Sequence, residues 1–492
     1  MSGISGIFGL NDQNLLTKML DKIKHRGPDG TKTYIDNKIA LGNNILALSN
    51  GYSDKLIVNE SGDKCISFDG FIYNQQELKG LLGNHEFKTN STAEVLLHLY
   101  EEKGPQFVNM LKGMFAIAIF GGDHMFLARD PAGLKPLYYG VEGDVLYFSS
   151  EIKSLLLAVD KILTFPSGHF FVSPNNFTPY FTPTFEINAD NSVETVIPRI
   201  QTILTESLAR QSNEPDPRIG VMLSGGIDSS VIAAYAKQAY PKTKTYFVGV
   251  ENSPDLEFSR KAATHLNTDH TEHILSESEL IESISKTIYY LESFDYALVR
   301  SSVAQFIGTN IVSKDVNLSL CGEGGDELFG GYSYLKPMNE DELRKELIDI
   351  TFKSGSTGFQ RVDRMFLANS VEGRMPFMNP DLIEYAMGIS TTLKLFGPEQ
   401  TSKWILRKSA ENMLPEKVVW QPKRKFWEGS GVANTLQMFT EKQISDQEFK
   451  LAQEKYPNVE IRTKEELYYF RIFKTFFDNK SAIESVGSTS HV

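Results

Sequence analysis

The sequence predicts two joined domains of different class: an α+β amino-terminal half built on sheets, and an α/β carboxyl-terminal half with a parallel sheet and added helices. Three observations predict it. Residues up to about 157 fall into short apolar runs divided by turn residues, and residues from about 193 alternate strand with helix. Between them, 165–191 is rich in Phe, Pro, Thr and Asn without a helical period. At roughly 150 residues per domain, a chain of 492 residues holds two or three domains.

Taken in order, 64–73, 113–120, 125–129, 137–140 and 145–149 read as strands, and 91–103 is the clearest helix of the first half. The aromatic stretch 165–191 reads as an ordered connection. Then come a helix at 194–210, a strand at 218–223, a helix at 228–238, a strand at 244–250 and a helix at 256–266. Strand and helix in alternation mean parallel strands with helices on their faces. Beyond 275 the pattern is chiefly helical, broken by a strand at 317–321. The domains are set at 1–190 and 191–492.

Composition narrows the class. Hydrophobic residues at 41%, charged at 23% and aromatic at 11% exclude collagen-like, disordered and membrane proteins. A net charge of −12 opposes nucleic acid as the main partner. Cys65 and Cys321 stand far apart without metal-ligand spacing, and read as buried small apolar residues. The first residues carry no cationic leader and no apolar run nears the ~18 residues of a membrane helix, so the cytoplasm is the expected compartment and no membrane partner is expected.

Chemistry enters at Leu223, Ser224, Gly225, Gly226, Ile227, Asp228, Ser229 and Ser230, where a buried strand runs through a small-residue turn into a helix. The first helical turn offers unpaired N–H groups and the positive end of the helix dipole. Glycines admit an oxyanion closely, and the Ser224, Ser229 and Ser230 hydroxyls can donate to it. The loop fits a pyrophosphate. It lacks the lysine of GxxxxGK[ST] and is not GxGxxG, and on this motif alone a plain capped glycine turn is the alternative. A second loop, with Gly322, Glu323, Gly324, Gly325, Asp326, Glu327, Gly330 and Gly331, again follows a strand end. Three acids among five glycines suit a hard divalent cation held through a triphosphate, so ATP and Mg²⁺ are expected, with Asp228 and Asp326 as metal carboxylates. Both loops lie at C-terminal strand ends, where α/β ligands bind.

SGGIDSS and GEGGDELFGGY, with FVGVENSPDLEFSRKAATHLNT before the second and SVEGRMPFMN and WQPKRKF after it, resemble the synthetase domain of the B-type, glutamine-dependent asparagine synthetases. HRGPDG, IYN, LKGMFAIAIF and LARDPAGLKPLYY resemble that family's class II glutamine amidotransferase domain. The resemblance spans nearly the whole chain. It implies an Ntn-hydrolase-like sandwich joined to a PP-loop ATP-pyrophosphatase-like domain, and a homodimer. It also implies an AMP-forming ligase that adenylates a carboxylate and lets ammonia displace AMP. Carried over, Ser224, Gly226, Asp228 and Ser229 hold pyrophosphate beside Gly225, Ser230 and Glu323, while Leu223, Val248 and Gly322 lie at adenosine. Glu372 matches an acid–base position, Lys423 a cation over phosphorus. Arg300 matches an arginine that grips the substrate carboxylate.

The first half departs from the family where glutamine is cleaved. The nucleophilic cysteine is Ser2, a poorer nucleophile. The arginine for the glutamine carboxylate aligns with Ile45, the asparagine of the oxyanion hole with Asp69, and the aspartate for the glutamine ammonium with Thr92. A carboxylate where negative charge must develop costs on the order of 3 kcal/mol or more. The expectation is therefore a loss of glutaminase activity, with Arg26 and Asp29 as structural remnants.

The expected substrates are a small-molecule or peptide carboxylate, aspartate or an aspartate-like acid first, with ammonia or another amine. Ala297 and Leu298 stand where the family tends to carry hydroxyl residues beside Arg300. Ring closure within one substrate, as in β-lactam synthetases and lasso-peptide cyclases, is the first alternative. A nucleotide-binding relative without catalysis is the second, opposed by the intact synthetase loops. An ATP-pyrophosphatase acting on tRNA is opposed by the acidic charge.

Overall fold

Along Gly113–Phe120, side chains alternate between two apolar surroundings, and this layers the first unit. Phe115, Ile117 and Ile119 pack with Leu96, Leu99 and Phe107, while Ala116, Ala118 and Phe120 pack with Ile4, Leu41, Cys65 and Phe148. Both faces are covered. The strand is therefore apolar throughout, with all of its residues buried.

The computed structural model describes residues 3–48, 56–83, 85–174, 177–212 and 218–489. Its first unit comprises Met1–Pro183, Phe352–Asp363 and Phe477–Ser485; the second comprises Thr184–Thr351, Arg364–Phe476 and Val486–Val492. The first holds two antiparallel sheets of six strands each. One runs in the order Leu163–Thr164, Tyr138–Glu142, Val145–Ser149, Gly3–Phe8, Ile39–Ile45, Gly30–Asp36. The other runs Phe177–Pro179, His169–Val172, Met125–Arg129, Gly113–Phe120, Cys65–Ile72, Ile57–Val58. Two sheets, one covered on its outer face by helix Thr92–Lys103 and the other by helix Gln13–Lys22, give the α+β sandwich expected.

Two local expectations are corrected. The stretch 165–191 is not merely a connection, because His169–Val172 and Phe177–Pro179 extend the second sheet, with Phe170 stacked on Phe126 at 5.8 Å. Helix Gln13–Lys22, with the Asp12 carboxylate accepting from the Leu15 N–H at 2.8 Å, is not placed among the few helices expected there, of which 91–103 is the clearest. The helix expected at 91–103 runs Thr92–Lys103, capped by Ser91.

The second unit carries five parallel strands in the order Asp269–Ile274, Lys244–Gly249, Ile219–Met222, Leu318–Leu320, Glu372–Arg374. From Ile219–Met222 the chain builds outward on one side, then returns to place Leu318–Leu320 on the other. That reversal makes a topological switch point. Among the described residues no helix is long and apolar enough to cross a membrane.

Candidate functional site

Both predicted loops leave the sheet at the switch point. Val221 pairs with Leu320 in parallel register, so Leu223 and Gly322 come off neighbouring strands side by side. Glycine is required where they meet: a Cβ on Gly322 would lie 2.7 Å from the Ser229 nitrogen, and one on Gly325 would run into the Asp228 carboxylate. Gly225 turns at φ 86°, and a Cβ there would press on the backbone at Ser259. In the first loop Ser224 Oγ and Ser229 Oγ lie 3.0 Å apart, and the Ser229 hydroxyl donates to the Gly226 carbonyl. Ser230 is fully buried within helix Ile227–Ala239, whose first turn also carries Asp228. Leu223, just past its strand, and Val248, on the neighbouring strand, are buried apolar residues.

Charge gathers beside the loops. Lys403 Nζ bonds to Asp228 Oδ2 and lies 2.5 Å from Asp326 Oδ1; Lys423 Nζ donates to Asp326 Oδ2 at 2.7 Å. Burial would raise the Asp326 carboxyl, but Lys403 and Lys423 outweigh it and hold the group well below the usual carboxylate range. Burial also lowers the Lys423 ammonium, and Asp326 with Asp228 reverses this and lifts it above its usual value. Glu327 is pushed up to about 7 by burial and by the charge of Asp326, with the Tyr332 hydroxyl donating to it at 2.6 Å. Asp255 is raised to about 6 by burial, against Arg424 and Lys423. Its carbonyl lies against Gly225. Oδ1 of Asp228 is buried without a hydrogen-bond partner, so the carboxylate pair of Asp228 and Asp326 fits a divalent cation.

Sequence reasoning did not select Lys403 or Asp255. Lys403 stands at the start of helix Trp404–Ala410, in a left-handed turn at φ 57°, a position that no local sequence pattern announces. Two predicted residues stand apart from the lysine–aspartate cluster. Glu372 is buried and opens its strand opposite Leu318, three positions before the neighbouring Cys321. Arg300 is held by a resident carboxylate: its Nε lies 2.9 Å and its Nη2 2.5 Å from Glu465 Oε2, and Tyr469 donates to Glu465 Oε1 at 2.7 Å. The guanidinium also covers the Tyr296 ring at 5.1 Å.

In the first unit, Asp69, expected at the oxyanion-hole position, lies in a buried ionic network. Arg26 donates to Asp69 at 2.9 Å, Glu151 at 3.0 Å and Asp363 at 2.7 Å, and every one of these side chains is at most 2% exposed. Lys135 lies 3.5 Å from Asp69 and 3.3 Å from Asp363, and Lys153 lies 2.5 Å from Glu151. Three fixed cations thus face three carboxylates. Ile45 is buried at the end of its strand, and the Thr92 hydroxyl donates to Gln75 at 2.7 Å. Asp29 accepts from the Ala47 N–H. Ser2 lies outside the described residues.

Residues 1–196 match the glutamine amidotransferase domain family, and residues 199–360 and 337–490 match the asparagine synthase family. Among relatives, an asparagine synthetase (glutamine-hydrolyzing) of Zea mays is 32% identical over 99% of this chain and 88% of its own. Asparagine synthetase B (glutamine-hydrolyzing) of Escherichia coli strain K12 is 32% identical over 99% and 93%. A probable asparagine synthetase of Schizosaccharomyces pombe is 32% identical over 94% and 90%.

Proposed function

The chain belongs to the asparagine synthetase family of ATP-dependent amide-forming ligases, and we propose that it joins aspartate or an aspartate-like acid to ammonia or another amine without hydrolysing glutamine. The observation that carries the ligase reading is the meeting of Asp228 and Asp326, from two glycine loops at a switch point, with Lys403 and Lys423.

In this reading a substrate carboxylate oxygen attacks the α-phosphorus of ATP, the bond to the β-phosphate oxygen breaks, and pyrophosphate leaves. The N–H groups opening Ile227–Ala239 and the Ser224 and Ser229 hydroxyls receive it. Leu223, Val248 and Gly322 line the adenosine side. Lys423, anchored by Asp326, presents positive charge to the phosphoryl oxygens. The amine then attacks the acyl carbon, the bond to the AMP oxygen breaks, and a base takes the amine's proton, a role we assign to Glu372. Asp228 and Asp326 would hold Mg²⁺, which when bound offsets triphosphate charge.

Loss of glutaminase chemistry rests on Asp69, whose carboxylate is committed to Arg26 and Lys135, and on Ile45 and Thr92, which leave no charged grip for glutamine. A ring-closing amide synthetase is the second reading, favoured by Arg300, whose fork already holds Glu465 and so favours a substrate other than aspartate. We place the enzyme in the cytoplasm and, by family analogy, as a homodimer.

Carboxylate-dependent exchange between ATP and labelled pyrophosphate tests the ligase half: Asp228→Ala and Asp326→Ala should abolish it, and unchanged exchange removes the metal assignment. Ammonia or a larger amine should support AMP formation while glutamine yields no glutamate. Glutamate release would overturn the amine-donor reading.

A further inference from the structure

One group of side chains in the first unit takes no part in either site. Glu60 lies in the turn after Ile57–Val58, His85 in the loop before helix Thr92–Lys103, and His98 and Glu101 one turn apart on that helix. One donor atom from each lies within 4.8 Å of the other three. His98 Nδ1 is 3.0 Å from Glu101 Oε2 and 3.8 Å from Glu60 Oε2; His85 Nδ1 is 3.5 Å from Glu60 Oε1. The two imidazoles stack with centroids 4.1 Å apart. Three separate segments thus bring two ring nitrogens and two carboxylate oxygens to one point.

We propose that Glu60, His85, His98 and Glu101 bind one divalent transition cation of the zinc class, through Nδ1 of each histidine and one oxygen of each glutamate. Two imidazoles with two carboxylates and no thiolate suit Zn²⁺ or Co²⁺, whereas Mg²⁺ and Ca²⁺ take oxygen alone. Metal–ligand bonds of about 2.0–2.1 Å in a tetrahedron require donors roughly 3.4 Å apart. The nearest contacts, 3.0 Å for His98–Glu101, 3.5 Å for His85–Glu60 Oε1 and 3.8 Å for His98–Glu60 Oε2, lie around that figure, and one donor of each group falls within 4.8 Å of the rest before any ion draws them together.

The outer contacts support the same assignment. Glu102 Oε1 lies 3.3 Å from His85 Nε2, which turns Nδ1 toward Glu60. Asn59 Nδ2 donates to Glu101 Oε1 at 2.7 Å, which presents Oε2 to His98. A carboxylate behind an imidazole and an amide behind a carboxylate are the devices that orient metal ligands. Four protein donors complete a tetrahedral shell, so the site is structural, tying turn, loop and helix together and stabilising the folded unit by mass action.

Titrating the full-length protein with Co²⁺ in excess Mg²⁺, which fills oxygen-only sites, tests this. We expect one equivalent bound with the intense visible band of tetrahedral Co²⁺, its displacement by Zn²⁺, and a thermal midpoint that rises with either metal. Glu60 and His85 are partly exposed, so Glu60→Gln and His85→Gln should fold, bind at least tenfold more weakly and lose the metal-dependent rise. Glu102→Gln should weaken binding by about 10–100-fold. No tetrahedral band in the unsubstituted protein, or the same affinity and stoichiometry in Glu60→Gln and His85→Gln, would overturn the proposal and leave the cluster as histidine–glutamate ion pairs.

Discussion

Asp69→Asn puts back the amide that the family's glutaminase carries, and the packing around residue 69 sets the consequence. Asp69 Oδ2 accepts from Arg26 Nη2 at 2.9 Å, and its Oδ1 lies 3.5 Å from Lys135 Nζ, with all three side chains buried. Removing the carboxylate leaves a buried positive charge uncompensated, which costs about 3–5 kcal/mol. A folded domain has only about 5–15 kcal/mol in total. The loss falls on the first unit, whereas Trp404, Trp420 and Trp427 all belong to the second. Far-UV circular dichroism in urea should therefore show an earlier transition that tryptophan emission does not share. Acid provides the sign. Burial opposes ionisation of Asp69, but Lys135 and Arg26 prevail and lower its pKa. Its stabilisation is present above the unfolded value near ~3.9 and disappears as pH falls through the folded value, so the two proteins' stabilities should converge in acid. A variant as stable as the parent at neutral pH, or one that releases glutamate from glutamine, refutes the reasoning.

Burial raises Asp255 to about 6, so the folded protein holds this proton more tightly than the unfolded chain and loses about 2–3 kcal/mol as pH rises from ~4 to ~6. Asp255→Asn should flatten that part of the stability profile in urea titrations, and an unchanged slope would count against a buried, raised carboxyl. Arg300→Ala should destabilise the protein by about 3–5 kcal/mol, because Glu465 is buried and its carboxyl is already raised by burial despite Arg300. A higher KM for the carboxylate at unchanged stability would instead return Arg300 to substrate binding.

What could be seen in the sequence was what is local. Gly113–Phe120 was legible because both faces are buried, so every position is small or apolar. Ile39–Ile45 was not, because Gly42, Asn43 and Asn44 interrupt its pattern: a Cβ on Gly42 would strike Leu20, while Asn43 and Asn44 donate to the Gly3 and Leu20 carbonyls. Asp269–Ile274 escaped because an edge strand may stay polar, and its side chains are all at least partly exposed. The two glycine loops were readable as runs of adjacent residues. Their partner Lys403 was not, since it stands 175 residues from Asp228 and meets it only on folding. Asp363 is 337 residues from Arg26 and gave no local sign of its pairing.

One rule governs both charged clusters: a carboxylate taken from water must find a cation. Around Arg26, among the described residues, Asp69 is fully buried and Arg26, Lys135 and Lys153 are matched against three acids. At the switch point Asp228 and Asp326 keep 16% and 20% of their side-chain surface exposed, and Lys423 stays accessible beside them. In the function proposed above, those groups would exchange partners with a nucleotide and its cation. In that function, the first cluster is a scaffold and the second the working site.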